Sequence, residues 1–278
     1  MATFFGEVVS AYSRAVEEDE EDVDNENEED QQIRKEIEQK REVYVSWCPE
    51  VTQSITNSPD KTLQCSDFVI AVGPNAAGFL SACILNSGNW VAVGSVSLWN
   101  ERSKDSSRQP GCVIYRQRDF PKVLICQCTC YIAEDQLFQW TEKVFACIQQ
   151  RGLSVMVLSD CSMAEYKTPD SLFSSGTPFL RALKTSRYGS QPACLLLEQP
   201  NIVTGLAAAV LSHCQVCRIP AVLYQCYSDI INPDSVTMET YKPALSCLSK
   251  LIKLDTCLST DILRKLVPVN EAQSNLYT

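Results

Sequence analysis

Apolar residues in this chain arrive in two rhythms. Short, largely unbroken runs at Phe68–Val72, Val123–Ile132, Leu153–Leu158, Ala193–Leu197 and Ala221–Tyr227 predict buried strands. Longer stretches space their apolar residues by three or four and predict helices. Ala76–Asn86, closed by Gly88, is one. Glu134–Gln150 is another, with Leu137, Trp140, Val144 and Ile148 on one stripe and Gly152 as its stop. Val236–Leu251 brings Met238, Tyr241, Leu245 and Leu248 into register, and Thr260–Leu266, capped by Ser259 or Thr260, ends at Pro268.

Residues 192–227 organise the rest. Ala193–Leu197 reads as a strand that Pro200 stops, because proline has no N–H for a ladder. Asn201 is the expected N-cap of a helix over Ile202–Val216, in which Ile202, Leu206, Ala209, Val210 and Val216 fall at helical spacing. Ala207, Ala208 and Ala209 are strong helix formers, small enough to lie close on a sheet. After Pro220 comes the strand Ala221–Tyr227. A strand–helix–strand unit of this length predicts parallel strands and a right-handed crossover. The expected fold is therefore α/β, in three layers: a mostly parallel or mixed central sheet flanked by helices.

The remaining elements fit that frame. Gln31–Glu42 alternates charge around Ile33 and Ile37 and predicts a polar helix. Val43–Trp47 reads as an edge strand. Val91–Trp99 and Cys112–Arg116 form a hairpin joined by an exposed polar loop, Asn100–Gly111. Asp160–Pro178 is a long polar loop, and Phe179–Lys184 a strand or short helix facing it.

Charge changes the picture at one end only. Of the 14 positions Glu17–Asp30, 11 are acidic; with Glu7 and Arg14, the first 30 residues sum to −11, so the other 248 sum to +1 within a net charge of −10. Like charges and few apolar side chains predict a solvated, largely disordered arm with its polar helix over residues 1–41. One α/β domain follows over 42–267, then an extended tail over 268–278. A nearly neutral body with no basic stripe argues against nucleic acid. No stretch reaches the length of a membrane span. The start, Met1–Glu7, lacks a basic region and a long apolar run, so the 15 cysteines are expected to be reduced and buried. Ala2 after Met1 points to initiator removal and N-terminal acetylation.

Candidate chemistry is sparse. Gly73-Pro74-Asn75 joins a strand to a helix and can hold an anion at a helix N-terminus, but it carries neither GxGxxG nor GxxxxGK[ST] and reads as a structural turn. Cys126, Cys128 and Cys130 share one face of a strand, where flat geometry wraps a zinc tetrahedron poorly. Cys214 and Cys217 form a lone CxxC near a helix end, with no second pair for zinc and no helix N-terminus to activate a thiol. His213 is the only histidine. The cysteines and His213 read as core packing, with no catalytic residue, cofactor or metal expected.

The C-terminus is more specific. Leu276 can enter an apolar slot, the Tyr277 ring suits a half-wet pocket, and the carboxylate of Thr278 can meet a cation or backbone donors. Longer stretches carry a resemblance: Ala2–Val9 with its acidic sequel, Cys126-Gln-Cys128 with Tyr131–Gln136, Pro178–Thr185, Leu197–Val203 and Gln273–Thr278. On these the chain resembles the proteasome assembly chaperone 1 family. The resemblance implies a chaperone and no enzyme. It implies a heterodimer with proteasome assembly chaperone 2 that promotes formation of the α ring of the 20S proteasome, prevents off-pathway α-subunit dimers and blocks premature activator docking. Its hydrophobic-Tyr-any tail falls on Leu276, Tyr277 and Thr278, which would insert between α subunits. It further implies cytoplasm and nucleus, with some endoplasmic-reticulum association. For the partner surface, an uncovered sheet edge or the helix Val236–Leu251 is the candidate. Two other classes stand beside this reading: a small-molecule-binding or phosphorylase-like α/β enzyme, which needs His213 in a polar pocket beside a carboxylate, and a zinc-binding module.

Overall fold

The computed structural model describes residues 27–98, 111–168, 176–229 and 232–248, and the chain divides into two units, residues 1–42 and 43–278. In the first unit, helix α1 (Glu28–Arg41) begins earlier than its apolar pattern predicts. Asn27 caps it, its side chain accepting from Asp30 N at 2.8 Å, and Glu28–Asp30 suit the positive end of the helix dipole. Ile33 and Ile37 are both exposed.

The second unit is built on eight strands: β1 (Val43–Trp47), β2 (Asp67–Val72), β3 (Trp90–Leu98), β4 (Cys112–Gln117), β5 (Val123–Cys128), β6 (Ser154–Ser162), β7 (Phe179–Lys184) and β8 (Ala221–Ser228). They lie in one sheet in the order β1-β3-β4-β5-β2-β6-β8-β7. The centre, β5-β2-β6-β8, is parallel; β1-β3, β3-β4, β4-β5 and β8-β7 are antiparallel. The mixed sheet of the sequence reading is therefore present, with Val43–Trp47 at one edge as expected.

Alternation along the central strands feeds two cores. Phe68 and Ile70 of β2 face one side, and Val69 and Ala71 the other. The first side is covered by helices α2 (Pro49–Asn57), α4 (Leu137–Ala146) and α5 (Gly205–Val216), through Val51, Trp140, Val144, Phe145, Leu206 and Val210. The second is covered by α3 (Pro74–Cys83), α6 (Ser235–Glu239) and a 3-10 segment, Lys242–Leu248, through Phe79, Leu80, Met238, Tyr241 and Leu245. Helices on both faces of one sheet make three layers.

A close approach fixes the β1 edge. Trp47 pairs with Gly94, where β3 shifts register between Ala92 and Gly94. A Cβ on Gly94 would stand 2.7 Å from Trp47 Cε3 and 2.9 Å from Ser46 O. Gly94→Ala is therefore expected to loosen β1 and cost about 1–3 kcal/mol, read as a lower urea midpoint. An unchanged midpoint would show that the edge absorbs the methyl group.

Several expectations need correction. Ala193–Leu197 is no buried strand: it touches the sheet through one bridge, Leu196 to Ala182, and Leu195 and Leu196 are 71% and 53% exposed. The antiparallel β7 holds the place beside β8, and the parallel neighbour of β8 is β6. A short apolar run reads alike at a sheet's edge and in its interior, and only pairing separates them. Asn201 is not a cap. Its amide accepts from Lys167 N at 2.7 Å and donates to the Lys167 and Glu198 carbonyls at 2.8 and 3.0 Å, and helix α5 starts at Gly205.

Helix Val236–Leu251 is broken as well. After Asp234 caps α6, the α-helix stops at Glu239 and a 3-10 segment takes over. Pro243 lacks an N–H and would clash with the carbonyl four residues back. The helix at Glu134–Gln150 is a 3-10 turn, Glu134–Gln136, and then α4, which ends because Cys147 O and Gln149 N bond to Leu63 instead. The strand predicted over Val123–Ile132 stops at Cys128. Asp160–Ser162 belong to β6, whose ladder with β8 runs on to Ser162. Residues 99–110 and 169–175, the helix predicted at Thr260–Leu266, and Leu276, Tyr277 and Thr278 lie outside the described residues.

Candidate functional site

Parallel sheets of this kind open a crevice at the carboxyl ends of their strands. Here it forms where β2, β6 and β8 end. Gly73, at φ 102°, turns β2 into α3, a backbone that side chains rarely adopt. A Cβ there would also come within 2.6 Å of Asp160 Oδ2. Asp160 of β6 points its carboxylate at the α3 N-terminus: Asn75 N donates to Oδ2 at 2.6 Å and Ala76 N to Oδ1 at 3.1 Å. Tyr241 donates its hydroxyl to Oδ1 at 2.6 Å, and Gln225 Nε2 donates to the Asp160 carbonyl at 3.2 Å. Asn75 Oδ1 accepts from Asp234 N at 2.9 Å, which ties the cap of α6 into the network.

The Gly73 turn is thus structural, and the anion at this helix N-terminus is the protein's own carboxylate. Burial raises Asp160 from 3.8 to about 6, against the lowering pull of Tyr241, Asn75 and Ala76. Beside it is a cavity of about 270 Å³ lined by Pro74, Cys161, Glu165, Cys226 and Thr237 among others. Burial pushes both Cys161 and Cys226 up to about 12, with acidic neighbours adding to it. These thiols hold their protons at neutral pH and are poor nucleophiles.

The sequence-singled residues do not converge here. His213 packs over Phe145 at 4.7 Å, in the core layer of α4 and α5; burial lowers its pKa, opposed by Glu142. Cys214 is buried and Cys217 exposed, with the Cys217 thiol 3.6 Å from His213 Nε2. His213 is therefore not in the crevice with Asp160, as the phosphorylase-like alternative requires. Cys126 faces the core, while Cys128 and Cys130 gather around Cys112. Tyr241 and Leu245, offered as a partner-facing surface, are fully buried.

What sequence reasoning left unlocated is the surface on β7, the sheet edge opposite β1. Phe179 stacks on Tyr227 at 5.4 Å, and Tyr166 meets both rings at 5.0 and 4.9 Å. The Arg181 guanidinium lies 4.7 Å from the Phe179 centroid and 5.5 Å from that of Tyr166. Glu198 binds Arg181 Nε at 3.1 Å and accepts from the Tyr166 hydroxyl. This platform is rigid, because each member is held by two others. Leu195, Leu196 and Ile202, exposed nearby along the chain, add apolar area. Aromatic and arginine side chains of this kind carry much of the energy of protein interfaces. The legible signal was the alternation Phe179, Arg181 along a short strand.

The family model described as "PAC1: Proteasome assembly chaperone 4" matches residues 1–278. Proteasome assembly chaperone 1 of Danio rerio is 57% identical over 287 residues, covering 100% of this chain and 100% of the relative. The Homo sapiens protein of the same name is 46% identical over 288 residues, covering 100% of this chain and 99% of the relative. Among solved structures, Pyrococcus furiosus PbaA, described as an archaeal homolog of proteasome-assembly chaperone, superposes with a TM-score of 0.54 over 81% of this chain and 91% of that one, at 10% identity. At that identity the likeness speaks for the fold.

Proposed function

The chain belongs to the proteasome assembly chaperone 1 family, and from that premise we propose that it pairs with proteasome assembly chaperone 2 and guides formation of the α ring of the 20S proteasome. The full-length identity to relatives named as assembly chaperones carries this reading. In it the α/β body is a scaffold. The terminal Leu276-Tyr277-Thr278 is the anchor, with an aliphatic side chain, an amphipathic ring and a carboxylate that fit a slot between two α subunits. Holding correct neighbours lowers their free energy relative to off-pathway α-subunit dimers. Occupying the slot also excludes any activator that uses the same pocket. The part-exposed Tyr166, Phe179 and Arg181, backed by the buried Tyr227, give the body a surface of hot-spot composition for a protein partner.

The test is removal of Leu276–Thr278 from the full chain, co-expressed with proteasome assembly chaperone 2. Capture of α subunits is expected to weaken by about 2–4 kcal/mol, the loss typical of hot-spot anchors, while the two chaperones still co-purify. Capture equal to that of the intact chain would overturn the tail's role.

A further inference from the structure

Three sulfurs gather where β4 begins and β5 ends. Cys112 and Cys128 stand directly opposite each other in the antiparallel register, and both are buried. Their Sγ atoms are 3.0 Å apart. Cys130 lies two residues beyond Cys128 and returns to the same face; its Sγ is 3.6 Å from that of Cys112. All three sulfurs lie within 4.8 Å of one another. The objection that one flat strand cannot wrap a cation applies to Cys126, Cys128 and Cys130. It does not apply to this set, because the ligands come from two strands and a turn and form a triangle.

We propose that Cys112, Cys128 and Cys130 form a three-thiolate site for a thiophilic divalent cation of the zinc class, completed by a water molecule on the side of Cys130. With metal–sulfur bonds of about 2.3 Å, neighbouring thiolates in a tetrahedron stand about 3.8 Å apart, so the triangle needs only small side-chain movements to close on a cation. The rim is already tied: Thr129 donates both its N–H, at 2.8 Å, and its hydroxyl, at 3.2 Å, to Gly111 O. That pins the Cys128–Cys130 segment against the start of β4, the supporting role that outer groups play around metals. Among the described residues no fourth Cys, His, Asp or Glu joins the group. Cys130 is only partly buried and marks the way in.

Charge selects the cation. Three thiols bind it by releasing three protons. A divalent ion then leaves one net negative charge in a largely buried place, a monovalent soft ion two, and burying more uncompensated charge costs more.

The reduced, metal-free full chain should be titrated with cobalt(II). One equivalent is expected to bind with a thiolate-to-cobalt charge-transfer band and tetrahedral visible bands, and zinc(II) should displace it. Zinc should also raise the unfolding midpoint by several degrees, as a ligand of the native state alone does. Cys130→Ser, at the half-buried corner, should lower cobalt affinity by more than about 10–100-fold, the range that outer-shell changes alone cause. Cys112→Ala should abolish the band. Cys217→Ser, in the CxxC pair elsewhere, should leave both unchanged and so control for the other thiols. The proposal is overturned if the wild type shows no charge-transfer band, if the band keeps its intensity and affinity in Cys130→Ser, or if the site takes copper(I) but neither cobalt nor zinc.

Discussion

Leu245→Asp is expected to unfold the α/β body and not merely to detach a partner. On amphipathic spacing alone, Leu245 and Tyr241 would sit on an outward stripe of a long helix. In the structure both are completely buried in the core beneath α3, where Tyr241 stacks on Phe79 at 5.8 Å. Losing a buried leucine side chain costs about 2–5 kcal/mol. An unpaired carboxylate placed there adds the cost of burying a charge. Against a domain stability of about 5–15 kcal/mol, the sum removes most or all of the folded population. Urea unfolding followed by far-UV circular dichroism would report it. A soluble, folded Leu245→Asp chain with normal unfolding that no longer binds proteasome assembly chaperone 2 would instead restore this segment as the docking surface.

Asp160 is expected to give the second large effect, with two signatures. Asp160→Leu leaves Asn75 N, Ala76 N and the Tyr241 hydroxyl without the acceptor they share. At about 1–3 kcal/mol for each buried donor left unmade, the change costs at least about 3 kcal/mol. The pH signature has the opposite sense from an ordinary paired carboxylate. Asp160 is raised from 3.8 to about 6 in the fold, so the native state binds its proton more tightly than the unfolded chain. The associated stability is fully present below pH 3.8 and is lost as pH rises through about 6. The span corresponds to about 3 kcal/mol, of which on the order of 1 kcal/mol appears between pH 7 and pH 5. His213, lowered by burial, acts the other way over the same interval, so the wild type must be compared with Asp160→Asn. Relative to that variant, the wild type should gain stability as pH falls from 7 to 5. Parallel pH profiles for the two would show that Asp160 does not titrate there.

Much of the architecture was legible because core strands and their covering helices write their burial locally. Phe68–Val72, Leu153–Leu158 and Ala221–Tyr227 are central and buried, and Trp140, Val144 and Ile148 form the buried stripe that their spacing predicts. Identity was legible too, since long matched runs span the chain from end to end. The two main misreadings have separate causes. Ala193–Leu197 and Val236–Leu251 have the apolar content of a strand and a helix, yet edge position and a proline, respectively, decide what they become.

What the sequence by itself determined was the class of the body, the acidic character of the first 30 residues and the family. These follow from composition, period and identity, which are properties of neighbouring residues along the chain. Only the tertiary structure decided that β7 lies antiparallel at the edge, that Asp160 fills the α3 N-terminus, that Arg181 lies over the Tyr166 ring, and that Cys112 joins Cys128 and Cys130. Each of those joins residues separated by many positions. Their contact depends on sheet order and register, which local periodicity does not encode.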